Sequence, residues 1–130
     1  MQGMEYGVGR SLDQPYEAAR ARVVEALKAE GFGVITEIDV KATMKEKLGV
    51  DVPPHTILGA CNPKLAHAAL EVEPDLGVLL PCNVVVYATD KGTRVTAINA
   101  GAMMGMVGNE RLEPIAEEVQ QRLDRVLESL

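Results

Sequence analysis

The chain has 130 residues, of which 47% are hydrophobic and 25% are charged, a balance typical of a globular domain and unlike that of disordered chains. Its formal net charge of -6 argues against nucleic-acid binding, because proteins that follow phosphates depend on clustered Lys and Arg. No apolar run reaches the roughly 18 to 20 residues of a membrane-spanning helix, and the N-terminus lacks the pattern of a signal peptide. We therefore expect one domain over residues 1–130, located in the cytoplasm, with neither nucleic acid nor a membrane as partner.

The beginning of the chain combines a strand pattern with a helix pattern. Residues 5–12 predict a short strand, which ends at a turn before Pro15. After Pro15, apolar residues recur at intervals of three and four and predict an amphipathic helix that ends at Gly31. Residues 32–40 then alternate with the period of a half-buried strand.

Two further helices are predicted by residues that cap helix ends. Asp39 is a suitable N-cap for a short helix with an apolar stripe, and residues 55–61 predict the strand that follows it. Asn62 and Pro63 give a clear helix start, because Asn accepts hydrogen bonds from free amides and Pro favours the first helical position. The side chains of this helix that we expect to face inward are Leu65, Ala66, Ala69 and Leu70.

The second half of the chain predicts a hairpin and a long terminal helix. Residues 78–89 are apolar and β-branched, and the turn at 90–92 joins them to a second strand at 93–99. Residues 100–108 are rich in Gly and Met and are interpreted as a loop. From Leu112 onward, apolar residues form a long stripe at helical spacing.

This order of elements predicts an α+β fold, in which a mainly antiparallel sheet carries its long helices on one face. The other face of the sheet is then free to contact a ligand or another subunit. We expect this face to form a homodimer.

Two stretches of the sequence resemble a known family. They are residues 58–63 (Leu-Gly-Ala-Cys-Asn-Pro) and residues 77–86 (Gly-Val-Leu-Leu-Pro-Cys-Asn-Val-Val-Val). The chain resembles the bacterial and archaeal domain-of-unknown-function family 302 over nearly its whole length. This resemblance implies a fold similar to the TATA-box-binding-protein-like α+β class, in a small protein that often self-associates. It implies no established activity, and kinship of fold does not carry DNA binding with it.

The two cysteines are the first candidates for chemistry. Cys61 ends a predicted strand directly before the Asn62 helix start, where the helix terminus favours a thiolate or an anionic ligand. Cys82 follows Pro81, where the strand predicted at 78–89 is bent, and neighbouring strand ends would bring the two sulfurs together. Three interpretations stay open: two inert core thiols, a redox or soft-metal pair, and a lone Cys61 nucleophile.

Other sites have weaker support in the sequence. A nucleophilic Cys61 needs a base such as His67, and zinc needs short ligand spacings of the CxxC or HxxxH kind, which the sequence lacks. The amides of residues 101–108 are suited to an anion, but the Lys-Ser/Thr of a P-loop is missing. Acidic runs such as Glu117 and Glu118 are interpreted as solvated surfaces.

We therefore predict a homo-oligomeric domain that binds a small molecule or a partner, with no assigned metal or cofactor. The first rival is a thiol enzyme or redox protein that uses Cys61. The second is a soft-metal protein that binds an ion such as Cu(I) through Cys61, Cys82 and either Met104 or Met106. The candidate ligand-binding residues are Cys61, Asn62, Cys82, Gly101, Met104 and Gly105.

Overall fold

The structure is a computed structural model that describes residues 2–3 and 5–130. Helices and strands alternate irregularly along this chain, with two short 3₁₀ helices at Pro74–Leu79 and Glu110–Leu112. The remaining elements, in chain order, are β1 (Gln2–Gly3), β2 (Gly7–Leu12), α1 (Tyr16–Ala29), β3 (Gly33–Asp39), α2 (Val40–Leu48), β4 (His55–Cys61), α3 (Pro63–Val72), β5 (Cys82–Thr89), β6 (Gly92–Ile98), α4 (Ala100–Gly105) and α5 (Glu113–Glu128).

The six strands form one sheet in the order β1-β2-β6-β5-β4-β3, and every neighbouring pair is antiparallel. The hairpin of β5 and β6 lies at its centre, as the turn at residues 90–92 predicts. Gly92 has a φ of 140°, and a Cβ there would lie 2.2 Å from the Leu12 carbonyl oxygen, so the turn requires glycine. The predicted α+β class and antiparallel sheet are confirmed.

One face of the sheet carries α1 and α5. Register places Leu58, Val84 and Ala97 side by side across β4, β5 and β6, and all three are buried in the main core. Leu27 of α1 and Leu123 of α5 are fully buried in the same core. Removing side chains of this size from water contributes roughly 1.5 to 3 kcal/mol each, and the larger of the two clusters of buried residues lies in this layer.

A second, smaller core lies beside the first. It joins α3, the first 3₁₀ helix, α4 and the beginning of α5, so it fixes α4 against the terminal helix. Its buried residues are Ala69, Leu76, Met104, Leu112 and Ala116.

The opposite face of the sheet stays partly accessible. Ile57, Val85 and Ile98 are only half-buried there, and the rings of His55 and Tyr87 stack with centroids 5.2 Å apart. This open face is available for a further contact, as the sequence predicts. In the described part of the chain, no helix is long and apolar enough to cross a membrane.

The predicted helix caps are present. The Asp39 side chain accepts a hydrogen bond of 2.9 Å from the Ala42 amide at the start of α2, and Gly49 ends this helix with a φ of 68°. The apolar stripe of α2, however, does not pack, since no residue of this helix is buried and Leu48 is 69% exposed. Leu70 of α3 was also expected to face inward and is 37% exposed.

Two predicted elements differ in the structure. The strand predicted at 78–89 begins only at Cys82, because Pro81 has no amide to donate to a sheet and residues 74–79 form a 3₁₀ helix. The loop predicted at 100–108 is partly helical. The Asn99 side chain accepts a hydrogen bond of 3.1 Å from the Ala102 amide and thereby caps α4, so the local cap outweighs the low helix propensity of glycine.

Candidate functional site

The junction of β4 and α3 has the geometry that the sequence predicts. Asn62 follows the last residue of β4 in an extended conformation, and its side chain accepts a hydrogen bond of 3.2 Å from the Leu65 amide. The Asn62 carbonyl accepts a second bond of 2.9 Å from the Ala66 amide. Pro63 occupies the first turn of α3. The predicted N-cap is therefore confirmed, and it holds the end of β4 in a fixed position.

Both cysteines lie at this end of the sheet. Cys82 begins β5 and pairs in register with Ala60, the residue next to Cys61. Both thiols are free, with Cys61 half-buried and Cys82 buried in the main core. Burial raises the pKa of the Cys82 thiol to about 11, and the charge of the nearby Cys61 sulfur adds to this shift. Cys82 is therefore a neutral thiol at physiological pH.

A small cavity lies between the two strand ends and the helices. Its volume is about 30 Å³, and Cys61, Cys82 and Met104 all line it. We call it the sulfur pocket. Its remaining lining is mostly apolar and consists of Phe32, Ala60, Asn62, Leu65, Ala66, Leu80, Pro81 and Val119.

The methionines of the Gly-Met segment separate into different environments. Met104 is only 5% exposed and lines the sulfur pocket, whereas Met106 is 70% exposed and does not line it. Met103 lines a shallow depression on the open face of the sheet. Of the two thioethers considered as metal ligands, the structure thus places Met104 with the cysteines and excludes Met106 from this group.

A larger groove lies between α4 and the first turns of α5, with a volume of about 560 Å³. We call it the α4–α5 groove. Met104, Leu112 and Ala116 are its buried apolar residues, and Gly101 and Gly105 lie on its α4 side. The Gly101 amide donates a hydrogen bond of 3.1 Å to the Gln120 side-chain oxygen, which joins the two helices.

The rim of the α4–α5 groove is acidic. Glu110, Glu113 and Glu117 line it, and all three side chains are exposed. Within residues 2–3 and 5–130, none of the five ion pairs includes any of these carboxylates. The sequence interpretation of Glu117 as a solvated residue agrees with its exposure, but it did not predict that this residue lies beside a groove. The signal was its spacing of four from Glu113, which places both carboxylates on one face of α5.

The candidate residues from the sequence therefore form two adjoining groups. Cys61, Asn62 and Cys82 line the sulfur pocket, whereas Gly101 and Gly105 line the α4–α5 groove. Met104 lines both cavities and forms the boundary between them. The sequence grouped these residues into one candidate site, whereas the structure places them along two cavities of different size and polarity.

The histidines lie elsewhere. His67 is exposed and pairs at 2.8 Å with Glu71 on the same helix, and His55 belongs to the open face of the sheet. Neither ring lines the sulfur pocket, so the structure gives no support to His67 as a base for Cys61. Among the described residues, no group of three or more His, Cys, Asp or Glu side chains is placed to hold a metal ion.

Known proteins with a similar sequence and a similar fold belong to one family. A family model described as "Domain of unknown function DUF302" matches residues 8–130. The chain belongs to the DUF302 family. A crystal structure of an uncharacterized conserved DUF302 protein from Bacillus stearothermophilus superposes on it with a TM-score of 0.86 and 31% sequence identity, covering 94% of this chain and 95% of the other. A search of curated proteins finds no match.

The resemblance inferred from residues 58–63 and 77–86 is thus confirmed for the DUF302 domain. Both the family and the similar structure are described without an activity. The family description assigns no function, as the resemblance implies, so the binding properties of this domain are inferred from its own cavities.

Proposed function

We propose that this DUF302 domain binds a small organic molecule that carries a positively charged group, and that the α4–α5 groove is the binding site. The observation that carries this proposal is the groove itself, since its volume of about 560 Å³ falls in the range typical of ligand pockets. Buried Met104, Leu112 and Ala116 give it an apolar floor. Such a floor takes up the hydrocarbon part of a ligand.

The charge of the rim decides which ligands are favoured. Glu110, Glu113 and Glu117 lie along it without a cation among their described ion-pair partners. Three carboxylates attract an ammonium group and repel a carboxylate or phosphate. The net charge of -6 adds to this preference at long range. A molecule with an ammonium group and a short apolar chain therefore fits the groove.

Two features prepare the groove for a ligand. Gln120 is held by two hydrogen bonds, one from the Gly101 amide at 3.1 Å and one to Asp124 at 2.9 Å, so its position does not depend on a ligand. A Cβ at Gly105 would have no atom within 4 Å, so the α4 side of the groove is open at this point. A partly pre-formed site lowers the cost of ordering on binding.

Two further properties belong to this proposal. We place the domain in the cytoplasm, where the reducing environment keeps Cys61 and Cys82 as free thiols. We also propose that it forms a homodimer through the open face of the sheet, where Ile57, Val85 and Ile98 are half-buried in the single chain. The α4–α5 groove does not involve these three residues.

Calorimetric titration with three probes of equal chain length tests the binding class. We expect n-hexylamine to bind, 1-hexanol to bind more weakly and hexanoate to give no measurable heat of binding. Glu117→Gln should weaken hexylamine binding several-fold, because exposed ion pairs contribute at most about 1 kcal/mol. Gly101→Leu should abolish it, since the added side chain extends from a Cβ that lies 3.8 Å from the Gln120 oxygen and fills the groove.

Glu128→Gln is the matched control, because it removes another exposed carboxylate from the far end of α5, outside the groove. Its affinity for hexylamine should equal that of the unchanged protein. Equal binding of hexylamine and hexanoate, or an equal loss in Glu117→Gln and Glu128→Gln, would show that the rim does not select for cations and would overturn the proposal.

A further inference from the structure

We propose that the α4–α5 groove selects amines with a short alkyl chain and that Met104 is the residue that limits the length of this chain. The inference rests on the proposed function, since it concerns the ligand of the same groove. The observation that carries it is the position of Met104, which lines both the α4–α5 groove and the sulfur pocket. A side chain that lines both cavities stands between them, so an alkyl chain that reaches the floor of the groove meets Met104.

Met104 is the one side chain that α4 contributes to the groove. The α4 residues along the groove are Gly101, Met104 and Gly105, and glycine has no side chain. Leu112 and Ala116 complete the apolar floor from the second 3₁₀ helix and from α5. On the α4 side, the length of the Met104 side chain therefore sets how deep a ligand can enter.

Packing holds Met104 in this position. It is 5% exposed and belongs to the second core together with Ala69 and Leu76. The sulfur pocket has a volume of about 30 Å³, which is on the order of the volume that one water molecule occupies in the liquid. The outer atoms of a methionine side chain, Cγ, Sδ and Cε, need more space than this. Met104 therefore cannot retreat into the pocket without moving the densely packed core around it.

The space behind Met104 suits hydrocarbon. The apolar lining of the sulfur pocket includes Phe32, Leu65, Leu80 and Val119. The oxygen of the Asn62 side chain, which also lines the pocket, already accepts a hydrogen bond from the Leu65 amide. An alkyl chain that extended past the position of Met104 would thus be surrounded mainly by apolar groups. Shortening Met104 joins the groove to an apolar extension.

The length of the ligand chain converts this geometry into affinity. Each methylene that moves from water into apolar surroundings tightens binding by about fourfold. In the unchanged protein, methylenes beyond the reach of the floor stay in water and add little. In Met104→Ala, the space of the removed atoms and of the sulfur pocket takes up about three more methylenes, which corresponds to a gain of up to about 60-fold.

Calorimetric titration with n-hexylamine and n-nonylamine tests the role of Met104. In the unchanged protein, nonylamine should bind no more than about threefold tighter than hexylamine. In Met104→Ala, nonylamine should bind at least about tenfold tighter than hexylamine. Adding Ala66→Leu to Met104→Ala should cancel this gain, because Ala66 lines the sulfur pocket and a larger side chain there fills the extension.

Met106→Ala is the matched control, because Met106 is 70% exposed and is not among the described residues that line either cavity. It should keep the ratio of nonylamine to hexylamine affinity that the unchanged protein has. If Met104→Ala does not fold, Met104→Val, which shortens the side chain by two atoms, should still raise this ratio by at least about threefold.

Two results would overturn the role of Met104 and leave the proposed function intact. One is an affinity that rises by about fourfold for each methylene from hexylamine to nonylamine in the unchanged protein. The other is an equal ratio of the two affinities in the Met104 variants and in Met106→Ala. No binding of hexylamine to the unchanged protein would instead overturn the proposed function, and the limit on chain length with it.

Discussion

At the scale of single residues, the burial of the Cys82 thiol makes the stability of the fold depend on pH. Its thiol is buried, with its pKa raised to about 11, whereas the thiol of an unfolded chain has a pKa near 9.0. The folded state therefore keeps the proton where the unfolded state loses it. The resulting stabilisation is fully present below pH 9 and is lost as the pH rises from 9 to 11.

Denaturant unfolding at several pH values measures this effect. The free energy of unfolding should fall by about 2 kcal/mol more in the unchanged protein than in Cys82→Ala between pH 9 and pH 11. The variant is the control for all other groups that titrate in this range. Parallel pH profiles would show that Cys82 ionises equally in the folded and unfolded states.

The two thiols should also differ in reactivity. Cys61 is half-buried, whereas Cys82 is 6% exposed. In the native protein at pH 8, iodoacetamide should modify Cys61 first, and both thiols should react once denaturant is added. Mass spectrometry of the peptides measures the ratio. Equal rates in the native state would mean that the end of β5 opens as readily as the end of β4.

At the scale of elements, the Asn62 cap fixes the start of α3 beside the sulfur pocket. Asn62→Ala removes the acceptor for the Leu65 amide and should lower the free energy of unfolding by about 0.5 to 2 kcal/mol. Asn62→Asp keeps the acceptor and serves as the control. A loss of stability that is equal in both variants would contradict a capping role.

The variant Asn62→Ala also tests whether the cap affects the reactivity of the Cys61 thiol. The Asn62 cap holds the end of β4 in place beside Cys61, so folded Asn62→Ala should change the alkylation rate of Cys61 by more than the stability change explains. Alkylation rates measured at neutral pH under native conditions decide this. Unchanged rates would leave Asn62 with a structural role only.

Sequence patterns predicted most elements because their signals are local. The caps at Asp39 and Asn62 and the glycine at residue 92 each act through neighbouring residues, and all three have the predicted roles. The exposed apolar stripe of α2 was not predictable, because packing depends on which surface the fold brings near. The same limit explains Leu70, which has helical spacing but lies outside the second core.

The candidate site was predictable only in part for a similar reason. Strand order places Cys61 and Cys82 at one end of the sheet, and the sequence could anticipate that. The groove depends on α4, which was interpreted as a loop, and on its distance from α5. The sequence therefore did not predict that Glu113 and Glu117 lie beside α4, although it shows that they are four residues apart.

At the scale of the whole molecule, the open face of the sheet is the proposed surface for a homodimer. Light scattering should give twice the chain mass of 14.0 kDa at micromolar concentration. Val85→Asp places a charge among half-buried apolar residues on this face and should give monomers, because an unpaired charge in an interface is strongly disfavoured.

Val78→Asp is the control for the open face. It makes the same substitution at a residue that is 87% exposed on the first 3₁₀ helix, away from the sheet, and it should leave the mass unchanged. A mass of 14.0 kDa for the unchanged protein, or a dimer that survives Val85→Asp, would contradict the proposed interface.

The central claim is that the α4–α5 groove binds a small organic cation, and mapping of amide chemical shifts tests it most directly. On titration of the isotope-labelled protein with n-hexylamine, we expect the amide signals of Gly101, Gly105, Ala116 and Gln120 to move in a saturable way. The signals of Val85 and Tyr87 on the open face of the sheet should stay in place. Saturable shifts confined to the open face, or no shifts around the groove, would contradict the proposed function.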